Sequence, residues 1–201
     1  VVDVAPAQLR KDPRQVSLAD KKRLLDEYND IIWRTSNQIQ TSMVRYADSA
    51  SITYFANTEG SYIEQERVDM ALLALTVARA GGDVQQAFMS VGTATDFSEL
   101  ENRHAEVEDV ARRAVALLSA RPVKGGTYTV VIDPILAGVF IHEAFGHLSE
   151  ADHVYENERL RELMQLGRRF GPPQLNVFDS AAIPGLRGSF RYDAEGAPAQ
   201  K

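Results

Sequence analysis

Behind Ser17 the apolar residues Leu18, Leu25, Ile32 and Ile39 return at helical spacing, and Ser17 with Asp20 has the form of a capping box with Asp in place of Glu. The pattern predicts a long amphipathic helix over roughly 18–38. From Thr41 to Thr93 the texture changes to β-branched and aromatic residues punctuated by turn clusters: "TSMVRYAD", "SITYFANTEG", "SYIEQERVDMALLALTVARAGG" and "DVQQAFMSVG" predict an antiparallel meander. Its predicted corners are "NTEG" and "GGD", because Asn and Gly accept the positive φ of tight turns. A second capping box, Ser98 with Glu101, precedes a helix whose Val107, Val110, Ala114 and Leu117 make an apolar stripe and which ends before Pro122.

"RPVKGG" reads as a linker, and a new unit begins with "TYTVVID", a predicted strand. Asp133 caps the next helix and Pro134 suits its first position, since proline lacks the N–H that is unpaired there in any case. A further helix is predicted over "ENERLRELMQLGRRFG", with Leu160, Leu163 and Leu166 inward and an end at Gly167 or Gly171. After it, "QLNVFDSAAIPGLRGSFRYDAEG" reads as strand, turn, strand. The expected fold class is therefore α+β. An antiparallel sheet packed with long helices occupies 1–121, the C-terminal part of an N-terminal domain. The start of a second α+β domain, carrying the motif described next, occupies 122–201.

Composition narrows the function classes. The chain has 201 residues, 44% of them hydrophobic and 25% charged, which is enough for one sizeable core or two modest ones. A net charge of −6 and a pI near 5.3 argue against a surface that neutralises phosphates, so no direct nucleic-acid contact is expected. No apolar run approaches the roughly 20 residues that span a bilayer, and no signal-peptide layout opens the chain. The absence of cysteine fits a reducing, cytoplasmic compartment and removes thiolate from any metal site this chain builds alone. The chain opens on Val1 and closes on "RYDAEGAPAQK", a turn whose following strand is missing, so it is expected to be a piece of a longer protein.

The chemistry concentrates in "VFIHEAFGHLSEADHV", where His142 and His147 are five positions apart and Glu143 follows the first. Each residue of a regular helix turns by about 100°, which leaves positions five apart roughly 140° from one another and unable to share an ion. One π-type turn, with a backbone bond reaching i+5, returns both imidazoles to one face. Gly146 is the residue expected to permit that distortion. Two neutral imidazoles, a third protein ligand and a water then complete a catalytic zinc site. Glu143 is placed to act as general base rather than ligand, because zinc lowers the pKa of its water to about 7 and the carboxylate takes the proton. The competing reading is two core histidines on an apolar helix, with no metal at all.

"VVIDPILAGVFIHEAFGHLSEAD" resembles the HExxxH segment of the TldD/PmbA family of zinc metallopeptidases. "DSAAIPGLRGSFRYDAEGAPAQ" and the upstream "ANTEG" resemble two further stretches of that family. The resemblance implies that His142 and His147 are zinc ligands and Glu143 the catalytic carboxylate. It also implies a third ligand outside this segment, a cysteine far downstream in TldD-like members. Glu150 and Asp152 fall where the family has acidic residues after the motif, which implies either orientation of an imidazole or a solvated helix end. Two functions follow: a zinc-dependent peptidase acting on unfolded or extended peptides, incomplete and expected to be inactive as this segment, or a PmbA-like binding and assembly subunit with a vestigial motif. The implied partners are a peptide substrate and a second subunit, either a copy of itself or a paralogue. Of the remaining histidines, His104 reads as exposed on a charged helix and His153 as a polar helix-end residue.

Overall fold

The computed structural model describes residues 1–200, and these divide into two compact units. One is Val1–Pro122 together with the segment that begins at Ser180; the other is Val123–Asp179.

The first unit is a mixed sheet with two helices. β1 (Val2–Ala5), β2 (Ile39–Ala56) and β4 (Asp83–Thr93) each pair with β3 (Tyr62–Ala80), β2 and β4 antiparallel to it and β1 parallel. Since β2 follows nearly the whole length of β3, β1 and β4 share its other edge, β1 opposite Tyr62–Gln65 and β4 opposite Met70–Ala80. Both predicted corners form. Asn57 closes the first, its side-chain oxygen accepting from the N–H groups of Glu59 and Ser61 at 3.1 and 3.0 Å, while Gly60 takes a φ of 85°. Gly81, with a φ of 60°, begins the two-residue turn between Ala80 and Asp83.

Helix α1 (Leu18–Thr35) starts as expected, with Ser17 Oγ accepting from the Asp20 N–H at 3.1 Å. It stops three residues early, at an extended Ser36, so Ile39 opens β2 instead of closing the helix. Leu18 is exposed because a seven-residue repeat drifts off the face of a straight helix; Tyr28 and Ile32 carry the burial. Helix α2 (His104–Leu117) buries Val107, Val110, Ala111 and Ala114. The proposed Ser98 cap is not its start. Asp96 caps a short 3-10 turn at Phe97–Leu100, and α2 begins after Arg103 with no side-chain cap. Alternate residues of β3, namely Val68, Met70, Leu72, Ala74 and Ala78, meet these two helices to form the core. Its polar anchor is Tyr28, fully buried, whose hydroxyl donates to the Leu100 carbonyl at 2.7 Å and accepts from the Arg103 N–H at 3.0 Å.

The segment from Ser180 holds to the sheet through side chains and not through strands. The Gln65 side chain accepts from the N–H groups of Arg191 and Tyr192 at 2.9 and 3.0 Å and donates to the Tyr192 carbonyl at 3.2 Å. Arg187 grips Asp69 with two bonds of 2.6 and 2.7 Å, its side chain lying where a Cβ on Gly92 would intrude at 2.5 Å. The predicted strand, turn, strand is therefore a series of turns, in which Pro184, Gly185 and Gly188 interrupt any ladder; a lone bridge joins Tyr192 to Pro198.

In the second unit α3 (Pro134–Ile141) leads into the motif, followed by α4 (Ala151–Glu156) and α5 (Glu158–Leu163). "TYTVVID" forms no strand, because none of the described residues pairs with it; Val131 is wholly exposed. The predicted long helix after the motif is shorter, capped by Asn157 and finished at Leu163, and Leu166 is exposed beyond it. Without a surface to bury an apolar face, propensity alone sustains only short helices.

Two outcomes are expected. Tyr28→Phe leaves a buried carbonyl and N–H unpaired and lowers stability by about 1–3 kcal/mol in denaturant titration; an unchanged midpoint contradicts that. Asp69 is held below its ordinary carboxyl pKa of 3.8 chiefly by its hydrogen bonds to Arg187. Its contribution is present above that value and is lost as pH falls below it. Asp69→Asn should therefore cost at most about 1 kcal/mol near neutrality and nothing in strong acid.

Candidate metal centre

Asp133 sets the entry to the site: its Oδ1 accepts from the Leu136 N–H at 2.7 Å, and Pro134 occupies the first turn of α3. The helix then widens. His142–Gly146 form a π-helical turn, and the His147 N–H donates to the His142 carbonyl five residues back. The expected distortion is thus present, but the reason offered for Gly146 needs correcting. Its backbone sits at φ −53° and ψ −58°, ordinary helical values open to any residue. A Cβ there would lie 3.6 Å from His142 Nδ1, an ordinary van der Waals contact, so neither the backbone angles nor the space beside that imidazole demands glycine.

The turn brings the rings of His142 and His147 to 4.3 Å between centroids at an interplanar angle of 68°. One ligand atom from each of His142, Glu143 and His147 lies within 4.8 Å of the others. Two nitrogens on one tetrahedral zinc stand about 3.3 Å apart, from bonds of roughly 2.0 Å, so small ring rotations suffice for a shared ion. The donor set suits zinc: two imidazoles with a carboxylate at hand. Glu143 Oε2 is 4.0 Å from His147 Nε2. All three side chains reach solvent within the described residues.

The chain beyond the turn supports His147 from two sides. A 3-10 turn at His147–Ser149 ends in an extended Glu150, whose Oε1 is 2.6 Å from His147 Nδ1. An ionised carboxylate only accepts, so His147 carries its proton on Nδ1 and offers Nε2 as the free lone pair. Asp152 turns the other way: its Oδ1 accepts from the His153 N–H at 2.9 Å. His153, passed over as a helix-end residue, places Nδ1 2.8 Å from the His147 carbonyl. That acceptor, and secondarily the charge of Asp152, raises the His153 pKa above its ordinary value. Nothing in the sequence periodicity points to His153, since its approach depends on the break at Glu150. Glu150, Asp152 and His153 also form a second exposed group of donor atoms within 4.8 Å. His104 is exposed, with its ring edge-on to Tyr28. The chain has no cysteine to complete the first group.

The chain is similar to known metallopeptidase domains along most of its length. Residues 11–121 match the PmbA/TldA metallopeptidase central domain and residues 125–201 the PmbA/TldA metallopeptidase C-terminal domain. A metalloprotease of Synechocystis sp. is 51% identical over 94% of this chain and 41% of its own length. A metalloprotease of Methanocaldococcus jannaschii is 35% identical over 94% of this chain and 42% of its own. A zinc metalloprotease TldD homolog of Saccharolobus solfataricus is 29% identical over 79% of this chain and 35% of its own. The chain thus spans less than half the length of these relatives.

Since neither an unusual backbone angle nor crowding demands glycine at 146, Gly146→Ala should leave helicity by circular dichroism unchanged and stability within about 1 kcal/mol. Collapse of the helical signal would show that the turn itself requires glycine.

Proposed function

The chain belongs to the PmbA/TldA metallopeptidase family, and from that premise we propose that it supplies most of a zinc peptidase centre that hydrolyses peptide bonds in unfolded or extended peptides. The observation that carries the reading is the π turn, which sets His142 and His147 on one side of the helix with Glu143 beside them. His142 and His147 are the protein ligands, and the third comes from outside this segment. A relative named as a zinc metalloprotease supports the choice of metal. When bound, zinc supplies Lewis acidity, polarising a carbonyl and making a water acidic enough to lose a proton near neutral pH.

The remaining work falls to the chain's own side chains. Glu143 accepts the proton of the attacking water and returns it to the leaving amine, so that neither a strong base nor an unstable amide anion forms. Its neighbouring position to His142 keeps the carboxylate at the ligand cluster without occupying a helical turn of its own. Glu150 holds the His147 proton on Nδ1 and keeps Nε2 available. Main-chain hydrogen bonds to an extended peptide demand little of sequence, which suits a substrate defined by its lack of fold. The enzyme works as a homodimer or with a paralogous subunit, in the cytoplasm.

The test is made on the full-length protein. One zinc per chain is expected, with cleavage of an unfolded peptide reduced about 10²- to 10⁴-fold by Glu143→Gln while zinc is retained. His142→Ala should lose the zinc itself. A folded protein that carries no metal and cleaves nothing would instead make the chain the non-catalytic binding subunit.

A further inference from the structure

We infer that His153 is a positioning residue for His147: it anchors the His147 main chain while Glu150 anchors the ring, and the two together decide which nitrogen that ring offers a cation. The inference rests on the reading of His147 as a ligand. Three contacts within the second unit carry it. His153 Nδ1 lies 2.8 Å from the His147 carbonyl oxygen, and a carbonyl only accepts, so Nδ1 bears the proton and donates. Glu150 Oε1 lies 2.6 Å from His147 Nδ1. The other oxygen of that carboxylate is 3.6 Å from His153 Nδ1. One carboxylate therefore lies between two imidazoles, and the second imidazole is tied back to the residue that carries the first.

The arrangement answers a mechanical weakness of the site. A π turn of five residues, a 3-10 turn of three and an extended residue follow in succession, and no regular helix holds the register of His147 on its C-terminal side. Rotation of the His147 ring, or transfer of its proton to Nε2, would present an N–H where a lone pair is needed. Glu150 prevents this only while it stays against the ring. Its backbone leads directly into α4, where His153 lies, so the bond from His153 to the His147 carbonyl closes a loop of chain that has Glu150 inside it.

The experiment uses the full-length protein with ¹⁵N-labelled histidine, and reads the His147 and His153 tautomers without metal and zinc affinity by competition with a chromophoric chelator. The wild-type protein should show neutral His147 and His153 both protonated on Nδ1. His153→Phe should give His147 a mixture of tautomers and weaken zinc binding about ten-fold. His153→Asn, whose amide N–H can occupy the place of Nδ1, should restore both. The inference is overturned if wild-type His153 carries its proton on Nε2, if His153→Phe changes neither reading, or if His153→Asn is no better than His153→Phe. Should zinc fail to bind the wild-type full-length protein, the ligand reading loses its support, and the metal-free tautomers still decide the role of His153.

Discussion

One backbone hydrogen bond, from the His147 N–H to the His142 carbonyl, determines what the motif can do. Were the bond to reach back four residues instead of five, the two imidazoles would point roughly 140° apart and no small ion could meet both. With it, the rings stand 4.3 Å apart and Glu143 comes to the same place without further adjustment. A π turn costs regular hydrogen-bond geometry and is seldom kept without a use. Here the use is the convergence of three side chains from five consecutive positions plus one.

The second constraint is the placement of protons. On the proposed reading His147 must present a lone pair, and the carboxylate of Glu150, 2.6 Å from Nδ1, favours that by accepting from Nδ1. Because side chains in this unit are largely exposed, the enforcement comes from local hydrogen bonds and not from packing. The first unit works in the opposite manner. There a buried interface of β3 with α1 and α2 fixes the geometry, and polar contacts such as those of Tyr28 only finish it.

What is legible in the sequence is what local chemistry decides. Asn57, Gly60 and Gly81 mark the hairpins because those positions need side-chain acceptors or positive φ; Ser17 marks a helix start because its hydroxyl meets a free N–H. The separation of His142 from His147 likewise foretells the π turn, since two imidazoles five positions apart reach one face by no regular α-helical path. What fails are features that depend on a partner. "TYTVVID" has strand composition but pairs with no described residue. The Ser98 box loses to Asp96, which offers the same capping oxygen two residues earlier. The residues after Ser180 prefer side-chain bonds to Gln65 and Asp69 over a ladder. His153 leaves no trace at all, because its contact exists only once Glu150 has broken the helix.

X-ray absorption at the zinc edge of the full-length protein tests most directly whether the widened turn delivers both imidazoles to one ion. The account predicts two histidine nitrogens at about 2.0 Å, with the zinc signal lost when either His142 or His147 is replaced by Ala. A spectrum with fewer than two histidine scatterers in the wild-type protein, or one that neither substitution alters, would contradict it.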